Sequence, residues 1–262
     1  MRTELVSEPG HPARPNEDFA SVALPASGQG GVLVVLDGVT PPRGETGCLH
    51  SVPWFTARLG GALTELTVSL PDVPLADALA RAIARTAEAH AATCDLSHPR
   101  TPQATVALAR WSAEAVEYLV LSDSALLVES TDGAITPCLD DRLARLPRAS
   151  LATDALIDAH IRNKEGGFFT AAADPSAAAR AVTGVLARGD VRTLVALTDG
   201  ATRWVEKFRE GDWGDCFTFV RKEGARALVD RVRALELADT EERTYLGRSK
   251  THDDATVVYA EL

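Results

Sequence analysis

The sequence predicts an α+β fold in which antiparallel sheet carries helices layered on its faces. Strand signals come in hairpin-like runs, at 104–111 with 115–121 and at 125–129 with 134–138. Helical signals come in pairs between strand runs. That grouping favours antiparallel sheet over the regular strand–helix alternation of a parallel one.

The elements follow in order. Residues 19–24 form a short, apolar-rich strand signal, and 32–36 (VLVVL) are a continuous apolar run of the kind buried on both faces. Residues 39–50 (VTPPRGETGCLH) read as a loop, with two prolines and two glycines. Phe55, Leu59, Leu63, Leu66 and Leu70 recur at helical spacing, and Leu75, Leu79 and Ile83 repeat it after Pro74. Residues 94–103 (CDLSHPRTPQ) read as a second loop. Strands are expected at 104–111 and 115–121, separated by Ser112, Ala113 and Glu114. A hairpin at Asp132-Gly133 joins the runs 125–129 and 134–138. Ala178, Val182 and Val185 suggest a helix, 191–197 a second buried strand, Leu228, Val232 and Leu235 another helix, and 255–262 the last strand. The apolar stripes are read as core packing. With no repeat and no long linker, the chain is expected to form a single domain over 1–262.

Composition narrows the function. With 37 acidic and 27 basic residues among 262, the net charge is −10 and the pI about 5.1. No basic excess exists to neutralise phosphates or to dock on an anionic membrane, so neither nucleic acid nor membrane is an expected partner. No apolar run approaches the roughly 20 residues of a membrane span. The N-terminus carries Glu4 and Glu8 and no apolar signal core. Cys48, Cys94, Cys138 and Cys216 are scattered without a C-x-x-C pair, so neither a zinc site nor a disulfide framework is indicated. A cytoplasmic protein with reduced thiols is expected.

The informative feature is where the acids sit. The run 32–36 ends in Asp37-Gly38, and 194–198 ends in Asp199-Gly200. Asn16-Glu17-Asp18 opens the strand at 19–24, and Asp253-Asp254 opens the last strand. In an antiparallel sheet the end of one strand lies beside the start of its neighbour, so these carboxylates can share one rim. Asp123, between two strand signals, is a candidate for the same rim. Clustered carboxylates stay ionised only if cations neutralise them. An all-oxygen donor set selects a hard divalent ion, Mg²⁺ or Mn²⁺, and two such ions can activate a water for in-line attack on phosphorus. An Asp-Gly taken alone reads first as a turn; five acids at strand tips taken together favour the metal site.

The ordered series Asn16-Glu17-Asp18, Val35-Leu36-Asp37-Gly38, Gln103-Ala104-Thr105, Leu121-Ser122-Asp123-Ser124, Leu197-Thr198-Asp199-Gly200 and Asp253-Asp254-Ala255-Thr256 resembles the metal-dependent protein phosphatases of type 2C, as a divergent, bacterial-type member. The resemblance implies an αββα sandwich: two packed antiparallel sheets flanked by helix layers. It implies a phosphomonoesterase with two or three Mg²⁺ or Mn²⁺ ions, acting on a phosphorylated protein as a monomer through attack by a metal-bridging hydroxide. Asp37 would bridge two ions and the Gly38 carbonyl would ligate one. Asp199 and Asp253 would hold the other. Glu17 and Asp18 match the family's acidic pair, and Asp123 with Asp199 a third position. Asp254, where many members have Asn, would support the ligands.

The sequence also departs from the family. Arg14 is a candidate grip for the substrate phosphate and reads equally as a surface arginine beside Pro15. The histidine many members place after the first Asp-Gly is replaced by Val39-Thr40-Pro41. His50 and His252 are its possible substitutes, although each reads first as a satisfied or solvated histidine. The Gly-Asp-Ser-Arg motif is Ser122-Asp123-Ser124-Ala125. Arg43, Glu45, Cys48 and His50 lie just beyond the Asp37 tip and would shape the approach to the site. The aromatic-rich stretch 200–221 occupies the place of a flap in many members, and packing is the first expectation for Trp204 and Trp213. Three functions stay open: a serine/threonine phosphoprotein phosphatase with Asp37, Asp199 and Arg14 as its catalytic set, a non-catalytic binding module of the same fold, and a phosphatase of a small phosphorylated metabolite.

Overall fold

The computed structural model describes residues 2–26, 29–242 and 251–262. Among the described residues, ten strands form two antiparallel sheets. One orders β1 (Thr3–Glu8), β10 (Ala255–Glu261), β9 (Val191–Leu197), β6 (Ala125–Ser130) and β7 (Ile135–Leu139). The other orders β2 (Phe19–Ala23), β3 (Gly31–Leu36), β4 (Val106–Trp111), β5 (Ala115–Leu121) and β8 (Val182–Ala187).

The period of two along each strand assigns its side chains to layers. In β3, Leu33 and Val35 join the core between the sheets, while Val34 and Leu36 face outward onto α1 (Val52–Ser69) and α2 (Leu75–Glu88). In β9, Leu194 and Ala196 enter the same central core. Val195 and Leu197 face α5 (Asp199–Glu206), α6 (Trp213–Glu223) and α7 (Ala225–Glu242). Val32–Leu36 of β3 and Leu194–Leu197 of β9 are therefore apolar at every position, as a layer covered on both faces requires. Leu59, Leu63 and Leu79 are fully buried, each worth roughly 1.5–3 kcal/mol. Ser51 caps α1 by accepting from the Trp54 N–H, and Asp212 with Asp215 forms a reciprocal capping box on α6. Between β7 and β8 run the short helices α3 (Arg142–Arg145) and α4 (Asp154–Leu156). No described helix is long and apolar enough to cross a membrane.

Two elements differ from the sequence reading. The helix expected through Ala178, Val182 and Val185 is a 3₁₀ turn (Pro175–Arg180) followed by strand β8. Those three residues belong to two different elements, so their helical spacing is accidental. As an edge strand, β8 leaves Val185 67% exposed, and its β-branched residues suit the extended chain. Strand β1 carries no continuous apolar run, because it pairs only with β10 and alternates exposed and half-buried positions. Trp204 is buried against the helix-side core and Trp213 packs on it, in line with the packing role expected of them.

Candidate active site

Strand register gathers the acids. Phe19 pairs with Leu36, so Asp18 and Asp37 leave adjacent strand ends at one rim. Leu197 pairs with Val257 on one side and Ala125 on the other, which brings Asp199 beside the start of β10 and beside Asp123. Two close approaches fix the turns. A Cβ at Gly38 would stand 2.5 Å from the Glu17 carbonyl oxygen, and one at Gly200 2.0 Å from that of Asp254. Only glycine permits either contact.

The electrostatics register the crowding. Burial pushes the Asp37 carboxyl well above its ordinary value, and the negative charges of Asp199, Asp18, Asp123 and Asp253 push the same way. Burial likewise raises Asp18, to about 8. Hydroxyls of Thr256 (2.7 Å) and Thr198 (2.9 Å) donate to its Oδ2 and act against that rise, while Asp254 and Asp199 add to it. The other oxygen, Asp18 Oδ1, is buried with no hydrogen-bond partner among the described residues. Clustered carboxylates with one orphaned oxygen, and neither thiolate nor imidazole in the set, fit hard divalent cations. The acids stand apart from one another: among the described residues, no three of them bring ligand oxygens all within 4.8 Å of each other. A site for more than one ion needs such spacing.

Arg203 and Glu236, which hold Asp253, were not evident from the sequence. Arg203, 1% exposed, donates from Nη2 to Asp253 Oδ2 at 2.9 Å and pairs through Nη1 with buried Glu236. Arg203 lies four residues after Asp199, one helical turn along α5, which was the available signal. Asp254 accepts the Gly10 N–H at 2.7 Å and the Glu17 N–H at 2.6 Å, clamping both ends of the loop that carries Arg14. At the Asp123 tip, Ser122 adopts the left-handed backbone (φ 68°) in place of the family's glycine, and its N–H donates to Asp140 Oδ2 at 2.8 Å.

A cleft of about 310 Å³ adjoins the acids, lined among others by His11, Arg14, Glu17, Thr40, His252 and Asp253. Arg14 thus stands with two of the expected metal-binding residues. The Thr40 hydroxyl donates to Glu17 Oε2. His252 pairs through Nδ1 with Glu236 at 2.7 Å, whereas His50 stacks on Trp54 away from the cleft lining. His11, overlooked in the sequence, faces the cleft from the same loop as Arg14.

The cysteines are scattered along the chain, but the fold brings Cys48 and Cys94 to 2.9 Å between sulfurs, with His90 Nδ1 3.3 Å from Cys48. Two thiols 46 residues apart in the chain thus meet in space.

Comparison with known proteins places this arrangement. No curated protein sequence matches the chain. Among solved structures, the serine/threonine phosphatase Stp1 from Staphylococcus aureus is 14% identical, with a TM-score of 0.61 over 99% of this chain and 94% of that one. The PPM Ser-Thr phosphatase MsPP from Mycobacterium smegmatis, solved in complex with cacodylate, is 18% identical, with a TM-score of 0.58 over 100% and 98%. RsbX, solved in complex with magnesium, is 12% identical, with a TM-score of 0.52 over 99% and 94%. At such identities these likenesses concern the fold. Residues 11–233 match the sequence model of protein phosphatase 2C, and the chain belongs to that family.

Proposed function

We propose that the chain is a single-domain, metal-dependent serine/threonine phosphoprotein phosphatase of the cytoplasm, acting as a monomer on a phosphorylated protein. The observation that carries this reading is the convergence of Asp18, Asp123, Asp199 and Asp253 on buried Asp37. In this reading Asp37, Asp199 and Asp253, with Glu17, Asp18, Asp123 and the Gly38 carbonyl, hold two or three Mg²⁺ or Mn²⁺ ions. Bound ions would offset the carboxylate charge and polarise water for attack on phosphorus.

The chain's own groups do the rest. Arg14 offers a planar fork to two phosphate oxygens at the cleft mouth. His11 and His252 line the same cleft and are the groups that can pass a proton to the departing oxygen. Arg203 holds the Asp253 carboxylate in a fixed orientation. Asp254 fixes the 10–17 loop, and with it the distance of Arg14 from the acids.

Hydrolysis of p-nitrophenyl phosphate with Mn²⁺ tests the proposal. EDTA should abolish turnover, and Asp37→Asn or Asp199→Asn should lower kcat by about 10²–10³-fold, the scale of losing one charge-stabilising group. Undiminished rates in either case overturn it, and micromolar Mn²⁺ binding without turnover on any substrate would favour the binding module. A panel of phosphopeptides against phosphorylated metabolites separates the two substrate classes by kcat/KM.

A further inference from the structure

A second set of metal-type donors lies away from the acids. The loop 39–50 leaves the Asp37 tip and delivers Cys48. The chain leaving α2 turns through His90–Cys94, where the Cys94 N–H donates to the His90 carbonyl at 3.0 Å. That i,i+4 turn puts His90 and Cys94 on one face. The two segments are tied together by the Asp95 N–H donating to the Gly47 carbonyl at 2.7 Å.

The donors are close and oriented. The ligand atoms of Cys48, His90 and Cys94 all lie within 4.8 Å of one another, a property no other trio of Cys, His, Asp or Glu shares among the described residues. Both sulfurs accept backbone N–H groups, Cys94 from Leu49 at 3.3 Å and Cys48 from His50 at 3.4 Å. Such donors favour thiolate over thiol. Burial and the Cys94 thiol push Cys48 up to about 11. Burial acts to raise the Cys94 thiol as well, yet hydrogen bonds from Cys48, Leu49, Thr93 and His50 carry it below its ordinary value, so Cys94 is the sulfur that loses its proton first. His90 is 2% exposed, and its Nε2 is buried without a partner among the described residues. Trp54 and His50 wall the site, with ring centroids 5.3 and 5.9 Å from that of His90.

We propose that Cys48 Sγ, Cys94 Sγ and His90 Nδ1 bind one thiophilic divalent cation of the zinc class. Two thiolates and an imidazole are the donors such an ion prefers over Mg²⁺ or Mn²⁺. Two sulfurs on one tetrahedral zinc stand about 3.8 Å apart, given Zn–S bonds of about 2.3 Å. Binding therefore spreads the present pair by about 0.9 Å, a movement within reach of side-chain rotation on two loop segments. Water or His50 completes the fourth position. The ion would staple the loop leaving the Asp37 tip to the end of α2, and so hold one wall of the cleft through Thr40. Each thiol gives up its proton to solvent as the ion binds, with no change of oxidation state.

Titrating the reduced full-length protein with Co²⁺ tests this independently of phosphatase activity. A thiolate-to-cobalt charge-transfer band should rise, saturate at one ion per chain and vanish on adding Zn²⁺. The carboxylate centre has no sulfur and contributes no such band. Cys94→Ser should abolish it, while Cys216→Ser, a thiol buried in the opposite helix layer, should leave it intact. Should Cys94→Ser fail to fold, alkylation mapping of the wild-type chain decides: Zn²⁺ should protect Cys48 and Cys94 together. No charge-transfer band, a band indifferent to Cys94→Ser, or equal labelling with and without Zn²⁺ overturns the proposal. So does a Cys48–Cys94 disulfide whose reduction yields no cobalt band.

Discussion

The acid cluster and the Cys48–His90–Cys94 cluster are built on opposite plans. The acids sit at strand tips, most of them on strands buried on both faces, so their positions are fixed by sheet register. They are nevertheless spread: no three of the described acids bring ligand oxygens all within 4.8 Å of one another. The thiol cluster sits on two irregular segments, yet its donors are packed within 4.8 Å. Neutral thiols and an imidazole can touch before any ion arrives. A rigid scaffold tolerates repulsive ligands, whereas a loose one gathers ligands that already attract. Removing the rigid support should therefore harm the acid cluster more than any change of similar size at the thiol cluster.

Arg203→Met makes that removal and carries the largest expected effect. Arg203 is nearly inaccessible and neutralises both Glu236 and Asp253. Methionine keeps much of the volume but leaves Glu236 to Arg233 at 2.8 Å and to His252. Breaking a buried pair from one side costs about 3–5 kcal/mol. Urea unfolding should show that loss in the midpoint, with little change in slope. A loss under 1 kcal/mol would mean that Arg233 and His252 suffice to hold Glu236 and that the acid cluster does not depend on Arg203 for its frame.

The same contrast explains what the sequence disclosed. Asp37, Asp199 and Asp253 were legible because a buried strand announces itself as an unbroken apolar run, and its end is then a place in space. The two-sheet architecture followed from the motif order, and eight of its strands from local pattern. Edge strands β1 and β8 escaped for the converse reason: they bury one face at most, so composition carries little periodic signal. Arg203 and Glu236 escaped because a buried ion pair is a relation between two helices. Cys48 and Cys94 escaped because nothing local marks two loops as neighbours.

Acidity sharpens the comparison with a smaller effect. In EDTA the folded chain keeps a proton on Asp18 up to about pH 8, whereas the unfolded chain releases it near the ordinary value of 3.8. Between those values folding takes up a proton, so this group makes the folded state less stable as pH rises, with no further loss above about 8. Thermal unfolding in EDTA from pH 5 to 8.5 should show a steeper decline for wild type than for Asp18→Asn. Mn²⁺ can take the proton's place, so the gain in Tm on adding Mn²⁺ should widen over the same range. Parallel slopes for wild type and Asp18→Asn would mean that Asp18 is ionised in the folded chain without a cation.

The smallest effect concerns the Asp123 tip, where rigidity was kept without the residue best suited to it. Ser122 holds a left-handed backbone that costs a non-glycine residue about 1–2 kcal/mol. Asp140, braced by Arg142 at 2.5 Å, holds the Ser122 N–H in place. Ser122→Gly removes the backbone cost but adds about 0.4–1 kcal/mol of unfolded-state freedom, leaving a gain of roughly 0.5–1 kcal/mol. Ser122→Ala keeps the strain and loses only the weak 3.3 Å bond from the hydroxyl to Asp123, so it should give no gain. Stabilisation by both substitutions would locate the cost in the serine hydroxyl. A gain by glycine alone locates it in the backbone, and shows that this strand tip is held by the Asp140 anchor against its own conformational preference.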